Sequence, residues 1–492
     1  MSLAVRRPRA IELAVVGAVA AVVLLAFALV PSYPGLDGYY DLVWGRELAH
    51  GQTPSFDSYR APTHHPLYVV VGALLSLAGQ HAERLLVLFT LLSLVAFLYG
   101  LYRLGTALFG RLGGALATLF AAQSVSFTLY AARGFVDVPF LALVVWAAAL
   151  EAERPRRGTA PMALLALAGL LRPEAWLFAL LYYCWLRYGG PRGRARPRLA
   201  GLAVVAPLLW CAVDWAATGD PLFSLHSTSS LADELRHSGG AAQVPGAFVS
   251  FLAFALRPPV AALGVIGIGL ALWRRGAAAL ALPLGLFAAG TLAFALTGLV
   301  GLSVLPRYLT VPAAMLCVFA AYPLAGCVDL ARDDPWRRRW LRASTAVAVL
   351  GLAGALVLAP ASVRKVRREL RFIRDSHDQL AALLRTPQVT AGLRCGPLTL
   401  PSDRLIADSR WLLHAPPRWV LTRAPEQGVV THDPRQGPQA YGVAIYVSGS
   451  KPIKRFGHAA GIPHSTNVTV APGFVVAARN GAFTARVRCP GA

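Results

Sequence analysis

The sequence predicts a mainly α-helical, polytopic membrane protein of about eleven transmembrane helices, followed by a small C-terminal α+β domain on the extracytoplasmic side. Three observations carry this reading. Of the 492 residues, 56% are hydrophobic and only 14% charged, with a mean hydropathy of +0.53, far from a soluble domain. Apolar runs near the length needed to cross hydrocarbon, about 20 residues, recur as far as residue 360. Beyond that point the chain turns charged and rich in Pro and Gly. The net charge of +23, from 47 basic and 24 acidic residues, is first a signal of topology and of contact with lipid headgroups. No recognisable nucleic-acid-binding module accompanies it, so no nucleic-acid partner is expected.

The elements follow in order. The basic tail Arg6-Arg7-Pro8-Arg9 precedes an apolar run at 11–30, and no small-residue cleavage site comes before Pro31. This reads as a retained first span with the tail in the cytoplasm and Pro31 outside. A polar loop covers 31–65. The apolar stretch 66–79 is short for a crossing and reads as an interfacial helix, so the first external loop covers 31–83. Spans follow at 84–102, 112–130 and 136–150. The stretch 160–186 is interrupted by Arg172-Pro173-Glu174 and reads as two short helices with the break at the outer surface. Further spans lie at 199–217, 247–273, 277–300, 308–327 and 343–360.

Charge tests this arrangement. It places Arg154, Arg156 and Arg157 inside, then Arg187 with Arg192, Arg194, Arg196 and Arg198, then Arg274 and Arg275, then Arg337, Arg338, Arg339 and Arg342. Counting 66–79 as a crossing would put every one of these clusters outside, against the positive-inside rule. Residues 1–360 thus form the membrane domain and 361–492 the external one. The latter opens with a charged helical stretch at 363–384, followed by β-rich runs such as 442–447 and 473–478. Its 19 basic and 7 acidic residues give +12. That charge either meets anionic lipid or glycan or follows from an Arg-rich composition. Asn467-Val468-Thr469 is a formal glycosylation sequon of little weight. Cys184, Cys211, Cys317 and Cys327 lie in apolar spans as small hydrophobes. If the C-terminal part is exported, Cys395 and Cys489 are candidates for a disulfide.

Ionisable residues at the outer ends of spans are the functional candidates. Asp37 follows the first span beside Gly38, where backbone can approach a ligand. It is either the cap of a helix starting near Tyr39 or a base taking a proton from an attacking hydroxyl. Asp37 and Asp41 share a face of a helix starting at Gly38. Arg133-Gly-Phe-Val-Asp137 lies at the mouth of the next loop, with Asp137 either a cap or a second acid, and Arg133 either its partner or a phosphate ligand. Arg172 and Glu174 form either a structural contact or a place for Arg172 against a lipid phosphate. Arg307-Tyr308 begins a late span, where Arg307 either snorkels or contacts phosphate. His64 and His65 are loop residues or phosphate contacts. There is no D-x-D and no metal-ligand cysteine spacing, so no cofactor is signalled. Charge near mid-membrane is scarce: Asp214 is near an outer end and Glu12 at an inner edge. That scarcity argues against a transporter.

Taken together these features resemble the GT-C superfamily of membrane glycosyltransferases, whose donor is a sugar on a polyprenyl phosphate. Within it the chain looks most like bacterial relatives of protein mannosyltransferases and aminoarabinose transferases. The matching features, over roughly 11–330, are Asp37, Tyr39-Tyr40, Gly51 to Pro54, Pro66-Leu67-Tyr68, Asp137, Arg172-Pro173-Glu174 and Arg307-Tyr308. The resemblance implies Asp37 as catalytic base, Asp137 as assisting acid, and His65, Arg172 and Arg307 around the donor phosphate. Tyr40, His64, Arg133, Glu174 and Tyr308 complete the expected substrate-binding set. Many members carry Lys or Arg before the Pro-Leu segment, where this chain has His64-His65. The implied reaction is inverting transfer from a polyprenyl-phosphate sugar, in contact with membrane lipid, to a lipid, glycan or protein of the cell envelope. Alternatives are a polysaccharide polymerase or ligase, drawing on His226, Arg236 and His237, a lipid-linked sugar flippase, or a glycan-binding scaffold.

Overall fold

The computed structural model describes residues 10–188, 197–234, 240–424, 430–431, 441–457 and 473–490. The basic tail at Arg6, Arg7 and Arg9, the cluster Arg192, Arg194 and Arg196, the pair Arg236 and His237, and the sequon at Asn467 lie outside them. Helices α1 (Ala10–Leu29), α2 (Leu36–Ala49), α3 (Pro66–Ser76), α4 (Ala82–Ala122), α5 (Val125–Ala132) and α6 (Asp137–Glu153) form the first part. Helices α7 (Thr159–Gly169), α8 (Glu174–Tyr188), α9 (Pro197–Thr218), α10 (Phe223–Glu234), α11 (Gly240–Leu256), α12 (Pro258–Ala279), α13 (Ala281–Leu299), α14 (Thr310–Ala325) and α15 (Pro335–Leu384) follow.

Among the described residues, seven helices are long and apolar enough to cross a membrane, and the α5–α6 pair, bent by 118°, makes an eighth candidate. Shorter apolar helices such as α3 and α7 fill out the bundle. This is the multi-pass membrane architecture expected from composition. The spans at 84–102 and 112–130 are separate helical segments, as expected, divided within α4 at Gly110, whose φ of +77° breaks the helical path and brings Gly105 against Gly114. One boundary differs from the sequence reading. The single span at 247–273 divides between α11 and α12 at Arg257, which has φ +65°. Between the segments at 84–102 and 112–130, Gly110 turns the chain within one residue, because glycine alone enters that region without strain.

Helix α14 is buried along nearly its whole length, between α4, α12 and α13. By contrast α1 has no buried residue and the 343–360 stretch of α15 buries only Ser344. Such an apolar surface is what hydrocarbon contact requires. Helices α2 and α3 cross backbone to backbone. A Cβ on Gly45 would lie 2.3 Å from the Ala73 nitrogen, and one on Gly72 would lie 2.3 Å from the Asp41 carbonyl oxygen.

Helix α15 is continuous through residue 360, so its charged C-terminal half carries the chain out of the bundle. The domain it leads into contains α16 (Pro387–Gly392), β1 (Leu398–Leu400), α17 (Ile406–Leu413), β2 (Val420–Ala424), β3 (Val430–Thr431), β4 (Gly442–Val447), α18 (Ser450–Phe456), β5 (Val475–Asn480) and β6 (Phe483–Arg488). The sheet order is β3-β2-β1-β4-β6-β5, with β1 parallel to β2 and β4 and the remaining pairs antiparallel. Strand β4 is buried on both faces, as a central strand requires. Cys395 and Cys489 are joined in a disulfide with Cα atoms 5.3 Å apart.

Two buried polar contacts dock this domain onto the first loop. Arg410, fully buried, donates to Glu47 Oε1 at 2.7 Å, Ser55 Oγ at 2.9 Å and Ser58 Oγ at 3.2 Å. His377 lies with Nε2 3.2 Å from Glu83, Nδ1 3.2 Å from Asp408 and 2.9 Å from the Tyr39 hydroxyl. Its ring stacks on Tyr33 at 3.8 Å. The first loop and the C-terminal domain therefore share one end of the bundle.

Candidate active site

Helix α2 starts at Leu36, with Gly35 before it and no side-chain cap. Asp37 thus falls in the first turn and its carboxylate is free for another partner. That partner is Arg307, whose Nη1 donates to Asp37 Oδ2. Asp137 opens α6, and its Oδ1 accepts from Arg172 Nη1. Arg172 also donates from Nη2 to Glu174 Oε1 at 2.5 Å and from Nε to Oε2 at 3.2 Å. The two guanidiniums flank one ring: Arg172 stands 4.8 Å and Arg307 6.0 Å from the Tyr308 centroid. Asp37, Arg307, Tyr308, Arg172, Asp137 and Glu174 are therefore one contiguous cluster, drawn from four separate stretches of chain.

Backbone contacts hold the loops that carry it. The Gly35 amide donates to the Arg133 carbonyl at 2.8 Å, and the Tyr68 hydroxyl donates to the Gly134 carbonyl at 2.9 Å. Gly134 has φ +67°, and a Cβ on Gly38 would come within 3.1 Å of its carbonyl oxygen. The loop before Asp137 is thus pressed between α2 and α3.

The cluster is low in water but not sealed. The side chains of Asp37 and Arg307 are 16% and 20% exposed, whereas Asp137 is 0% and Arg172 6%. Burial alone would push the Asp37 carboxyl up, but Arg307, with smaller help from His65 and Arg133, holds it below the ordinary carboxylate range. The other carboxylate oxygen of Asp137 has no hydrogen-bond partner. It is a buried acceptor left unanswered. One turn beyond Asp37, Asp41 is only 1% exposed and its Oδ1 has no hydrogen bond. His65 Nδ1 stands 3.7 Å away, inside ion-pair range but too far for a hydrogen bond. Burial pushes the Asp41 carboxyl up to about 6, against the pull of His65.

Two of the residues expected from the sequence, His64 and Tyr40, lie apart from this centre, and a third, Arg133, stands at its edge. His64 is buried, stacked on Phe56 at 3.9 Å, with Nε2 3.2 Å from Asp214 and Ser224 Oγ 3.4 Å from its Nδ1. Burial and neighbouring His65 push its imidazole down to about 3, so it is neutral. Tyr40 packs on Trp44 at 5.0 Å, and the charges nearest its hydroxyl are Arg410 and Asp403 of the C-terminal domain. Arg133 sits at the rim over Phe135 at 5.7 Å, with an unpartnered Nε. Burial and the charge of Arg455 lower it to about 10. Among the described residues no group of three or more His, Cys, Asp or Glu side chains is arranged to hold a metal ion.

No protein-family model and no curated protein matches this sequence. Solved structures do. The chain is similar to the crystal structure of ArnT from Cupriavidus metallidurans bound to undecaprenyl phosphate, with a TM-score of 0.59 and 15% identity, covering 98% of this chain and 99% of that one. The same protein in the apo state matches at a TM-score of 0.57 and 15% identity, over 96% and 97%. At the level of fold this agrees with the GT-C resemblance, over nearly the whole length of both chains, C-terminal domain included.

Proposed function

We propose that the protein is an integral membrane glycosyltransferase that moves a sugar from a polyprenyl-phosphate donor to an extracytoplasmic lipid, glycan or protein acceptor, with inversion. One observation carries the reading: two acids and two arginines from distant parts of the chain converge around Tyr308. The likeness to a structure holding undecaprenyl phosphate supports a lipid-phosphate donor. The Cys395–Cys489 disulfide supports an oxidising, extracytoplasmic side for the C-terminal domain, and with it for the first loop.

The reaction uses these residues as follows. Arg307 and Arg172 are cations for the donor phosphate, and His65 is a further contact for it. As Arg307 turns to phosphate, it releases the Asp37 carboxylate. Asp37 then takes the acceptor hydroxyl proton as the oxygen bonds to the anomeric carbon. The bond from that carbon to phosphate oxygen breaks, and polyprenyl phosphate leaves with the electron pair, its charge met by the arginines. Asp137 and Glu174 keep Arg172 fixed for this task.

The test is a transfer assay in membranes with several polyprenyl-phosphate sugars, comparing wild type with Asp37→Asn and Asp137→Asn. Loss of a positioned base lowers rate by about 10²- to 10⁴-fold, while donor binding stays as tight or tightens, because Arg307 loses its competitor. Asp37→Asn retaining more than a tenth of wild-type transfer would refute the assignment. Lipid-linked sugar crossing liposomes without bond formation would instead favour a flippase. Cysteine labelling at Asp220 from the outside tests the sidedness.

A further inference from the structure

A second polar cleft lies away from the Asp37 centre. Tyr39 reaches His377 on that side, and two residues along a helix turn its side chain about 200° from Asp37. The cleft has a volume of about 690 Å³ and runs between the C-terminal end of α2, the turn after α3, and helices α15 and α17. Its walls include Arg46, Arg84 and Arg385, with His50, His81 and His414 between them.

Two of the three arginines are fixed in place without being neutralised. Arg46 donates to the backbone carbonyls of Trp411 at 2.9 Å and Arg410 at 3.1 Å, with its guanidinium 4.6 Å from the Trp411 ring centroid. Arg84 donates to the carbonyls of Ser32 at 3.0 Å and Phe27 at 2.5 Å. Neutral carbonyls orient a guanidinium but leave its full charge. Arg385 and His81 are exposed, with no carboxylate partner among the described residues. Of the two acids on the wall, Glu83 is paired with His377, while Asp378, accepting from the neutral Tyr33 hydroxyl at 3.1 Å, keeps its charge and answers one of the three arginines. Positive charge here thus exceeds what the protein itself answers, in a concave site of ligand size. The rim is amphiphilic, since Leu77 lines the cleft and is 76% exposed, on the same helix end as Leu74 at 66%.

We propose that this cleft is an anion site that receives a phosphate mono- or diester group, separate from the catalytic centre. Guanidinium groups recognise phosphate oxygens by charge-assisted hydrogen bonds, and imidazole N–H groups between them add further donors. The phosphate comes either from a membrane lipid headgroup, whose tails would run past Leu77, or from a soluble phosphate ester. Its occupant ties the first loop, through Arg46 and Arg84, to the C-terminal domain, through Arg385 and His414. The inference stands independently of the glycosyl-transfer reading.

The test uses the full chain in lipid nanodiscs. Inorganic phosphate binding is measured by calorimetry in phosphatidylcholine discs, and retained phosphatidylglycerol is counted by native mass spectrometry from mixed discs. The double variant His81→Gln/Arg385→Gln is the probe, because both side chains are exposed and their loss leaves the fold intact. Arg307→Gln identifies any phosphate bound at the catalytic centre. We expect the double variant to weaken phosphate binding at least tenfold, or to release one retained phosphatidylglycerol. The first outcome assigns a soluble ester and the second a headgroup. Phosphate affinity and lipid count both unchanged in the double variant, or changed only by Arg307→Gln, would overturn the site.

Discussion

Replacing His377 with Gln tests how the C-terminal domain is bound to α2, the helix that carries Asp37. His377 belongs to the charged half of α15, beyond the apolar stretch at 343–360. Its removal strands two carboxylates, Glu83 with a side chain 6% exposed and Asp408 at 14%, and takes a partner from Tyr39. Breaking a buried pair costs about 3–5 kcal/mol. The stranded acids limit this by taking up protons, so a loss of about 3 kcal/mol in unfolding free energy is expected near pH 7. Adding Glu83→Gln removes one stranded charge and should restore at least about 1 kcal/mol, the scale of coupling within such clusters.

The pH dependence follows from the same contacts. Burial lowers the His377 imidazole, but Asp408 and then Glu83 outweigh it and bring it up to about 9. An imidazole raised above its unfolded value of about 6.5 contributes fully below that pH and loses its contribution as pH rises through 9. The difference amounts to about 3 kcal/mol. Denaturant unfolding of the full chain in detergent, between pH 6 and 9.5, reads both effects. Wild type should lose stability across that range, and His377→Gln should start lower; adding Glu83→Gln, which strands one acid fewer, should make its fall with pH less steep. In the transfer assay, turnover should fall more than donor affinity, because Tyr39 lies two residues from Asp37. A variant as stable as wild type at pH 6, or a wild type whose stability stays level from pH 6 to 9.5, would refute this reasoning.

Further outcomes concern the site and the C-terminal domain. Arg172→Gln leaves both Asp137 and Glu174 unpaired, whereas Asp137→Asn leaves Arg172 bonded to Glu174. The first should cost more stability, by at least about 1 kcal/mol, and equal costs would contradict the shared-fork geometry. Asp41→Asn should stabilise the protein above pH 7 by up to about 3 kcal/mol and leave it unchanged below pH 4. The sign follows because a buried acid raised to about 6 penalises folding only once it ionises. Reduction of the disulfide, which spans 94 residues, should destabilise the C-terminal domain by about 2–4 kcal/mol, read as earlier proteolysis within 385–490. An unchanged digestion pattern would count against it.

The helical membrane fold was legible because span length and apolar content are local properties of sequence. The positions of Asp37, Asp137, Arg172 and Arg307 at span ends marked them out, since charge at such places needs a reason. What pairs with what was not legible. Asp37 finds Arg307 across 270 residues, and Asp137 finds Arg172 across 35, and no periodicity encodes either pairing. Tyr40 shared a motif with Asp37, but its position on α2 turns it towards the C-terminal domain. The neighbours His64 and His65 separated for the same reason, one into an aromatic stack and one towards Asp41. His377 fell within the charged stretch at 363–384 and Arg410 carried no signal at all, because their value arises only when the domain folds back on the first loop.

The crossing of α2 and α3 sets a tolerance for everything built upon it. With Gly45 and Gly72 in main-chain contact, the spacing between Asp41 and His65 is fixed by peptide geometry and owes little to how neighbouring side chains interdigitate. Bulk changes along the lipid-facing surface can accumulate without disturbing that spacing. A single methyl at either glycine would wedge the helices apart and displace acid and imidazole together.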